Sequence, residues 1–157
     1  MKKDTDWLPT VIVAGVILLF LLCLPSMARA DEMEVWITSG FRSWHVDESS
    51  RHYRQNNNGG GVELVLSDRK SIYLGTYMNS LNKPATYLGF AYQPWHPFHL
   101  EGLKVGVIST LATGYTKDGS AVFVPLPTIT YEQRGFGINL ISVPTVVTCI
   151  QLKMRFN

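Results

Sequence analysis

The sequence predicts an all-β protein, an eight-stranded antiparallel up-and-down transmembrane β-barrel of the outer membrane. Alternation of apolar and polar residues recurs along the chain, whereas no long segment keeps the 3.6-residue apolar period of a helix. The strand number is even, and the longer segments reach the ~9–11 residues that a tilted membrane strand requires. The last segment shows the alternation most clearly, with four apolar and four polar side chains in turn: Ile150, Gln151, Leu152, Lys153, Met154, Arg155, Phe156 and Asn157.

Residues 1–30 are predicted to be a cleaved secretory signal peptide. Lys2 and Lys3 supply its positive region, 11–22 is uninterrupted apolar chain, and Ala28-Arg29-Ala30 is a small-residue cleavage site. The apolar run is shorter than the ~20 residues of a membrane-spanning helix, so an uncleaved anchor is the less favoured alternative. The mature chain is then one domain, 31–157, exported to the outer membrane of a Gram-negative bacterium.

Composition narrows the classes of partner and cofactor. The 14 basic and 12 acidic residues nearly balance, which excludes the basic surface of a nucleic-acid-binding protein. Cleavage would leave Cys149 as the single cysteine, so no internal disulfide is expected. No histidine or cysteine spacing suggests metal ligands, and we expect neither metal nor cofactor. We expect the barrel to be a monomer.

Eight segments alternate as strands do and are separated by turn-forming residues. In a soluble sandwich or a lipocalin-like barrel their apolar faces would point inward. In an outer-membrane barrel those faces would point outward to lipid. Export and the aromatic residues near strand ends favour the membrane barrel. The predicted strands are 33–43, 60–67, 71–79, 85–93, 101–112, 120–131, 135–143 and 146–156.

The order of strands predicts which loops meet. If the strands run up and down, the loops after odd-numbered strands share one end of the barrel, which places His45, His52 and Ser80 at the same mouth. These loops are 44–59, 80–84, 113–119 and 144–145.

Two further predictions concern the barrel wall and its interior. Glu63 is expected to pair with Lys153 or Arg155 inside the barrel, because buried charges need partners. Proline cannot donate to the ladder, so strand pairing is expected to lapse, and a lipid chain could then pass sideways, near the prolines. The prolines concerned are Pro125, Pro127 and Pro144.

Residues 77–83, Tyr-Met-Asn-Ser-Leu-Asn-Lys, resemble the aromatic-x-Asp-Ser-Trp-Asn-Lys segment of the outer-membrane lipid A palmitoyltransferase (PagP) family. Trp44-His45 resembles its Trp-His pair, and Tyr53 followed by 59–61 resembles its tyrosine before a glycine triplet. The prolines and the closing Met-Arg-Phe of 154–156 are also similar. The resemblance spreads over most of 36–157, although we expect no counterpart of the family's N-terminal amphipathic helix.

The resemblance implies an acyltransferase that moves a fatty acyl chain from a phospholipid to lipid A of lipopolysaccharide, without a cofactor. It assigns the family's essential histidine and serine to His45 and Ser80. The family's aspartate corresponds to Asn79, which cannot ionise. The floor of the family's acyl pocket falls at Ala91, where a bulkier residue implies a shorter chain. Two further residues are assigned to substrate binding: Gly89 and Tyr77.

The residues themselves agree in outline with acyl transfer, which requires a base, a nucleophile or activated hydroxyl, and donors for the oxyanion. His45 is the natural base because its pKa lies near neutrality. Ser80 could be nucleophile or oxyanion donor, and Asn79 could donate to the oxyanion or orient His45. Asp47 could replace the missing carboxylate. Two alternatives stay open: a lipid A esterase at the same mouth, and a non-catalytic lipid-binding barrel.

Overall fold

Eight antiparallel strands close into a barrel. The structure, a computed structural model, describes residues 33–46 and 53–156. Each strand pairs with the next along the chain, and the last pairs with the first. The all-β prediction and all eight predicted strands are confirmed. The strands are β1 (Glu34–His45), β2 (Asn56–Ser67), β3 (Lys70–Met78), β4 (Pro84–Trp95), β5 (Leu103–Ala112), β6 (Val122–Gln133), β7 (Phe136–Val143) and β8 (Val147–Phe156).

Several predictions concern parts of the chain outside the described residues. These are the signal peptide 1–30, Asp47 and His52. Within the described ranges, no helix combines the length and the apolar character that crossing a membrane requires.

The barrel is apolar outside, and many of the side chains buried inside it are polar. Its buried polar side chains come from strand positions that face the lumen: Thr38, Ser43, Asn57, Glu63, Gln93, Thr130, Asn139, Gln151 and Lys153. Large apolar side chains at the intervening positions are exposed: Ile37, Leu74, Phe90, Val107, Leu111, Phe123, Ile129, Ile138, Leu152 and Met154. The soluble alternatives required polar side chains on the outside, whereas large apolar side chains cover much of this exterior. The alternation in the sequence therefore matches the two-residue period of the strands. Because the sheet is closed, one set of alternating positions forms the exterior, and that exterior is largely apolar.

Strand β2 begins at Asn56, four residues before the predicted start at 60. Its Asn- and Gly-rich first half pairs with both neighbours, from Gly60 to Ser39 of β1 and to Thr76 of β3. Glycine is required here because the Tyr87 ring lies across the lumen. A Cβ at Gly61 would collide with the Tyr87 hydroxyl. Residues 56–59, which were predicted to belong to a loop, are therefore part of strand β2. Gly61 in the same strand leaves room for the aromatic ring.

A network of charges fills the half of the barrel away from the ends of β1 and β3. Lys153 Nζ lies 2.6 Å from Glu63 Oε2 and 2.5 Å from Glu132 Oε1, and its side chain is wholly inaccessible to solvent. Glu63 also accepts a hydrogen bond of 2.7 Å from the Tyr73 hydroxyl. The predicted pairing of Glu63 with Lys153 is confirmed, whereas Arg155 pairs with Glu34 instead.

Next to these charges, a chain of neutral hydrogen bonds links five strands. Gln93 Nε2 donates to Thr130 Oγ1, which donates to Asn139 Oδ1, each at 2.8 Å. Asn139 Nδ2 donates to Gln151 Oε1, and Gln151 Nε2 donates to the carbonyl of Ser39, at the irregularity in β1. Buried amides and hydroxyls are costly unless bonded, so the closed chain of partners stabilises this half of the lumen.

The sheet is incomplete between β6 and β7. The ladder between them runs from Gln133↔Phe136 to Thr128↔Ile141, while 122–127 of β6 pair with β5 alone. This stretch contains Pro125 and Pro127, which cannot donate to a ladder. The predicted lapse in strand pairing is confirmed near Pro125 and Pro127. Near Pro144 it is not, because Pro144 lies in the turn between β7 and β8, which pair up to Val143↔Val147.

We expect Lys153→Met to lower the free energy of unfolding by about 3–5 kcal/mol, because it leaves Glu63 buried without its cation. The matched control is Arg155→Met, which removes a cation from the part-exposed pair with Glu34 and should cost less than about 1 kcal/mol. Denaturant unfolding of the refolded barrels measures both. Equal losses in the two variants would contradict a charge network that holds the barrel together.

Candidate functional site

A cavity of about 430 Å³ occupies the end of the barrel where the odd-numbered strands finish, here called the mouth. Tyr73, Ile108 and Gln151 line its base, directly next to the charge network, since Tyr73 bonds Glu63. The wall on the side of β6, β7 and β8 consists of small apolar side chains: Val122, Val124, Leu126, Val143, Val147 and Cys149. The opposite side carries the packed aromatic rings of Phe41, Tyr77 and Tyr87. The cavity is therefore lined mainly by apolar side chains and is closed at its base.

His45 and Ser80 both line this cavity, which confirms the prediction that they share a mouth although they are distant in sequence. His45 is the last residue of β1 and pairs in register with Val147 of β8. Its ring stacks on Tyr53 with the centroids 4.2 Å apart and the planes inclined by 13°. A flat stack fixes the plane of the imidazole, and its nitrogens then lie at the edge of the stack.

Ser80 lies on a tight turn between β3 and β4 that Asn79 organises. Asn79 is completely buried, and its Oδ1 accepts hydrogen bonds of 3.0 Å from the amides of Leu81 and Lys83. Its Nδ2 donates to the carbonyl of Gly114 in the loop after β5, at 2.9 Å. Asn79 does not line the cavity. In this structure it holds the turn that carries Ser80, through bonds that use both ends of its amide.

The loop before β2 is tied to the same turn. The backbone amide of Arg54 donates to the carbonyl of Ser80 at 3.0 Å. Asn57 is buried beneath, and with its amide oriented to satisfy both ends it donates to the carbonyls of Met78 and Arg54 and accepts from Ser43 Oγ. These bonds fix the segment that carries Tyr53 against the segment that carries Ser80.

Two tyrosine hydroxyls lie next to each other at the mouth, and one of them belongs to a residue that was predicted from the sequence to bind substrate. Tyr77, predicted to bind substrate, lines the cavity, and its hydroxyl lies 2.5 Å from that of Tyr115 in the loop after β5. Burial raises the pKa of Tyr115, so this hydroxyl keeps its proton near neutral pH and can donate. The order of strands predicted that the loop 113–119 would lie at this mouth. Tyr115 in that loop was the sequence feature that could have identified the second phenol.

The other two residues predicted to bind substrate lie outside the cavity lining. Ala91 is fully buried in the aromatic cluster with Tyr73, Tyr87 and Ile108. Gly89 faces Ile108, whose Cγ2 would be 3.0 Å from an added Cβ. Both positions lie behind the side chains that form the base of the cavity. The depth available to a ligand is therefore limited by Tyr73 and Ile108.

No protein-family model matches the chain, and no curated protein sequence matches it significantly. In the described part of the chain, His, Cys, Asp and Glu side chains form no group of three that could hold a metal ion.

Asn79→Ala is expected to lower the free energy of unfolding by about 1–3 kcal/mol, because three backbone groups lose their partner. Ser80→Ala, one residue on, should change it by less than about 0.5 kcal/mol, since the Ser80 hydroxyl makes no hydrogen bond with the described residues. Denaturant midpoints of the two variants provide the test. A stable Asn79→Ala barrel would show that the turn does not depend on this amide.

Proposed function

We propose that the chain is an outer-membrane acyltransferase, an up-and-down transmembrane barrel that moves a fatty acyl chain from a phospholipid to lipid A. One observation carries the proposal: an apolar cavity, closed at its base by Tyr73, Ile108 and Gln151, with an imidazole and a hydroxyl at its mouth. Such a cavity is suited to a hydrocarbon chain whose ester group stays at the rim, next to His45 and Ser80.

The membrane location is supported by the distribution of side chains. Large apolar side chains occupy many of the outward positions of the strands, and buried polar side chains bond one another inside. A surface of this kind would aggregate in water, whereas hydrocarbon solvates it. Strands of 8 to 12 residues match the length of a tilted membrane strand. Exposed aromatic side chains lie at the ends of strands, as interfacial residues do, among them Trp44, Trp95, Phe136 and Phe156.

The break between β6 and β7 supports a route for the acyl chain. Here the wall of the cavity lacks backbone pairing, and the side chains at the break, Leu126 and Val143, also line the cavity. Unpaired backbone at membrane depth is costly unless it borders a cavity or has a use. A chain attached to a lipid in the bilayer could slide in sideways here without leaving hydrocarbon.

The chemistry assigned to the mouth is a proton transfer coupled to acyl transfer. His45 accepts the proton of the attacking hydroxyl as its oxygen bonds to the ester carbonyl carbon. When the tetrahedral intermediate collapses, the bond to the lysophospholipid oxygen breaks and His45 returns the proton to it. Ser80 and the phenols of Tyr77 and Tyr115 are the hydroxyls of the cavity mouth that can donate to the oxyanion. If Ser80 is instead the nucleophile, a covalent acyl-serine forms and can be trapped.

The resemblance of 77–83 to the lipid A palmitoyltransferase family is consistent with this assignment, and Asn79 is its main departure. An amide cannot supply the negative charge of the family's aspartate. Its hydrogen bonds to main-chain groups favour a second candidate function, a non-catalytic barrel that binds lipid in the same cavity.

We expect His45→Ala and Ser80→Ala each to abolish acyl transfer while the barrel still folds, because both residues line the cavity yet lie outside the charge network. The measurement is the mass of lipid A from a Gram-negative host with and without the expressed protein. The controls are His99→Ala, at the other end of the barrel, and Ser109→Ala, on the outer face of β5, and both should retain activity.

A gain of one acyl mass that disappears in the two mouth variants is the expected result. Loss of an acyl mass would identify a lipid A esterase instead. An unchanged mass with the wild-type protein would contradict acyl transfer to lipid A and leave the lipid-binding barrel as the better account.

A further inference from the structure

Three residues with cationic side chains lie on adjacent strands and turns at one side of the mouth, and we call Arg42, Arg54 and Lys83 the basic rim. The Arg42 guanidinium lies over the ring of Trp44, 5.8 Å from its centroid. Arg42 of β1 pairs in register with Asn56 of β2, and Arg54 Nε donates to the carbonyl of the same Asn56 at 2.6 Å. Arg54 Nη1 donates to Asn82 Oδ1 at 3.0 Å, one residue before Lys83. The basic rim thus joins the end of β1, the start of β2 and the turn after β3.

Hydrogen bonds within the described residues hold the Arg54 side chain in place. Both of its side-chain acceptors are uncharged, one a carbonyl and the other an amide oxygen. Among the described residues, carboxylates pair with Lys104, Lys153 and Arg155 at the opposite end, but none pairs with a member of the basic rim. A guanidinium has five N–H donors, so Arg54 keeps donors and its full charge for a ligand.

The position of Arg54 relates this charge to the cavity. The backbone amide of Arg54 donates a hydrogen bond to the carbonyl of Ser80. This bond holds the residue that carries the cation next to the residue that carries the hydroxyl. A planar guanidinium fits phosphate oxygens better than it fits other lipid groups, and fixing it beforehand reduces the entropy lost on binding. In a glycerophospholipid the phosphate is only a few covalent bonds from the acyl ester.

We propose that the basic rim binds the phosphate of a lipid headgroup while an acyl chain of the same lipid occupies the cavity, with Arg54 as the central contact. This proposal rests on the proposed function, since it requires a cavity that takes an acyl chain. It adds the requirement that the bound lipid carries an anionic group at a fixed distance from its acyl ester. Phosphate binding places the ester carbonyl beside Ser80 and excludes neutral lipids of the same chain length.

Cys149 provides a reporter, because it lines the cavity and is the single cysteine of the described residues. The full chain carries Cys23→Ala and is kept soluble by a non-ionic amphipathic polymer, so that no phosphate is present at the start. The rate at which a small thiol reagent modifies Cys149 is then measured against rising concentrations of three probes. The probes are dodecyl phosphate, dodecyl maltoside with the same chain and no charge, and inorganic phosphate.

Dodecyl phosphate should slow the modification at a concentration about tenfold lower than dodecyl maltoside, as expected for one or two charge-assisted hydrogen bonds. Inorganic phosphate alone should have no effect. Arg54→Gln should abolish the tenfold difference and leave the maltoside curve unchanged, which also shows that the cavity is intact. The matched control is Lys70→Gln, which removes a cation at the opposite end and should change neither curve.

A second variant tests the charge without changing Arg54, so that the hydrogen bond between Arg54 and Ser80 is not disturbed. Arg42→Gln with Lys83→Gln leaves the hydrogen bonds of Arg54 in place, and it should reduce the difference between the two amphiphiles by about threefold through the loss of nearby charge.

Three results would overturn the basic rim as a lipid-phosphate site. These are equal protection by the two amphiphiles in the unmodified chain, a Lys70→Gln effect as large as that of Arg54→Gln, or protection by inorganic phosphate as strong as by dodecyl phosphate. If neither amphiphile slows the modification of Cys149, the cavity does not take an acyl chain. That result would reject the proposed function itself, and the basic rim with it.

Discussion

Lys153 carries its ammonium group into the middle of a closed sheet, where no water can solvate it. The side chain is tolerated because Glu63 and Glu132 approach it from β2 and β6, and because Tyr73 bonds the remaining oxygen of Glu63. These partners come from strands far apart in sequence, so they can meet only when the barrel is closed. The charge network and the closure of the sheet therefore stabilise each other.

The same network explains why the cavity has one open end. Charges, amides and hydroxyls occupy the half of the lumen near Lys153, and small apolar side chains on β6 to β8 leave space in the other half. The groups able to do chemistry are then confined to the mouth, where they come from loops and strand ends. His45 ends β1, whereas Ser80 and Tyr115 belong to two different loops, and the hydrogen bonds of Asn57 and Asn79 hold these parts together.

Much of this arrangement could be predicted from the sequence. A period of two residues predicted every strand, and the order of strands predicted that His45 and Ser80 share a mouth. The need of a buried carboxylate for a cation predicted the pair of Glu63 with Lys153. Those inferences succeeded because they depend on local alternation and on simple counting along the chain.

The remaining features depend on contacts across the lumen, which local patterns do not encode. Residues 56–59 resemble part of a loop, yet they form the start of β2, and Gly61 in the same strand leaves the space that the Tyr87 ring requires. Asn79 resembles a catalytic position, but its amide bonds the main chain of a distant loop. Ala91 matches a pocket floor by alignment, whereas Tyr73 and Ile108 stand between it and the cavity.

The break beside β6 also bears on how the barrel behaves next to other polypeptides. An unpaired strand edge ordinarily invites another polypeptide to add a strand, which leads to dimers or aggregates. The ladder of β6 with β5 is continuous past Pro125 and Pro127, so the ring nitrogens of these prolines should face the break. The exposed edge then offers no donor at these two positions, which makes it a poor template for an added strand.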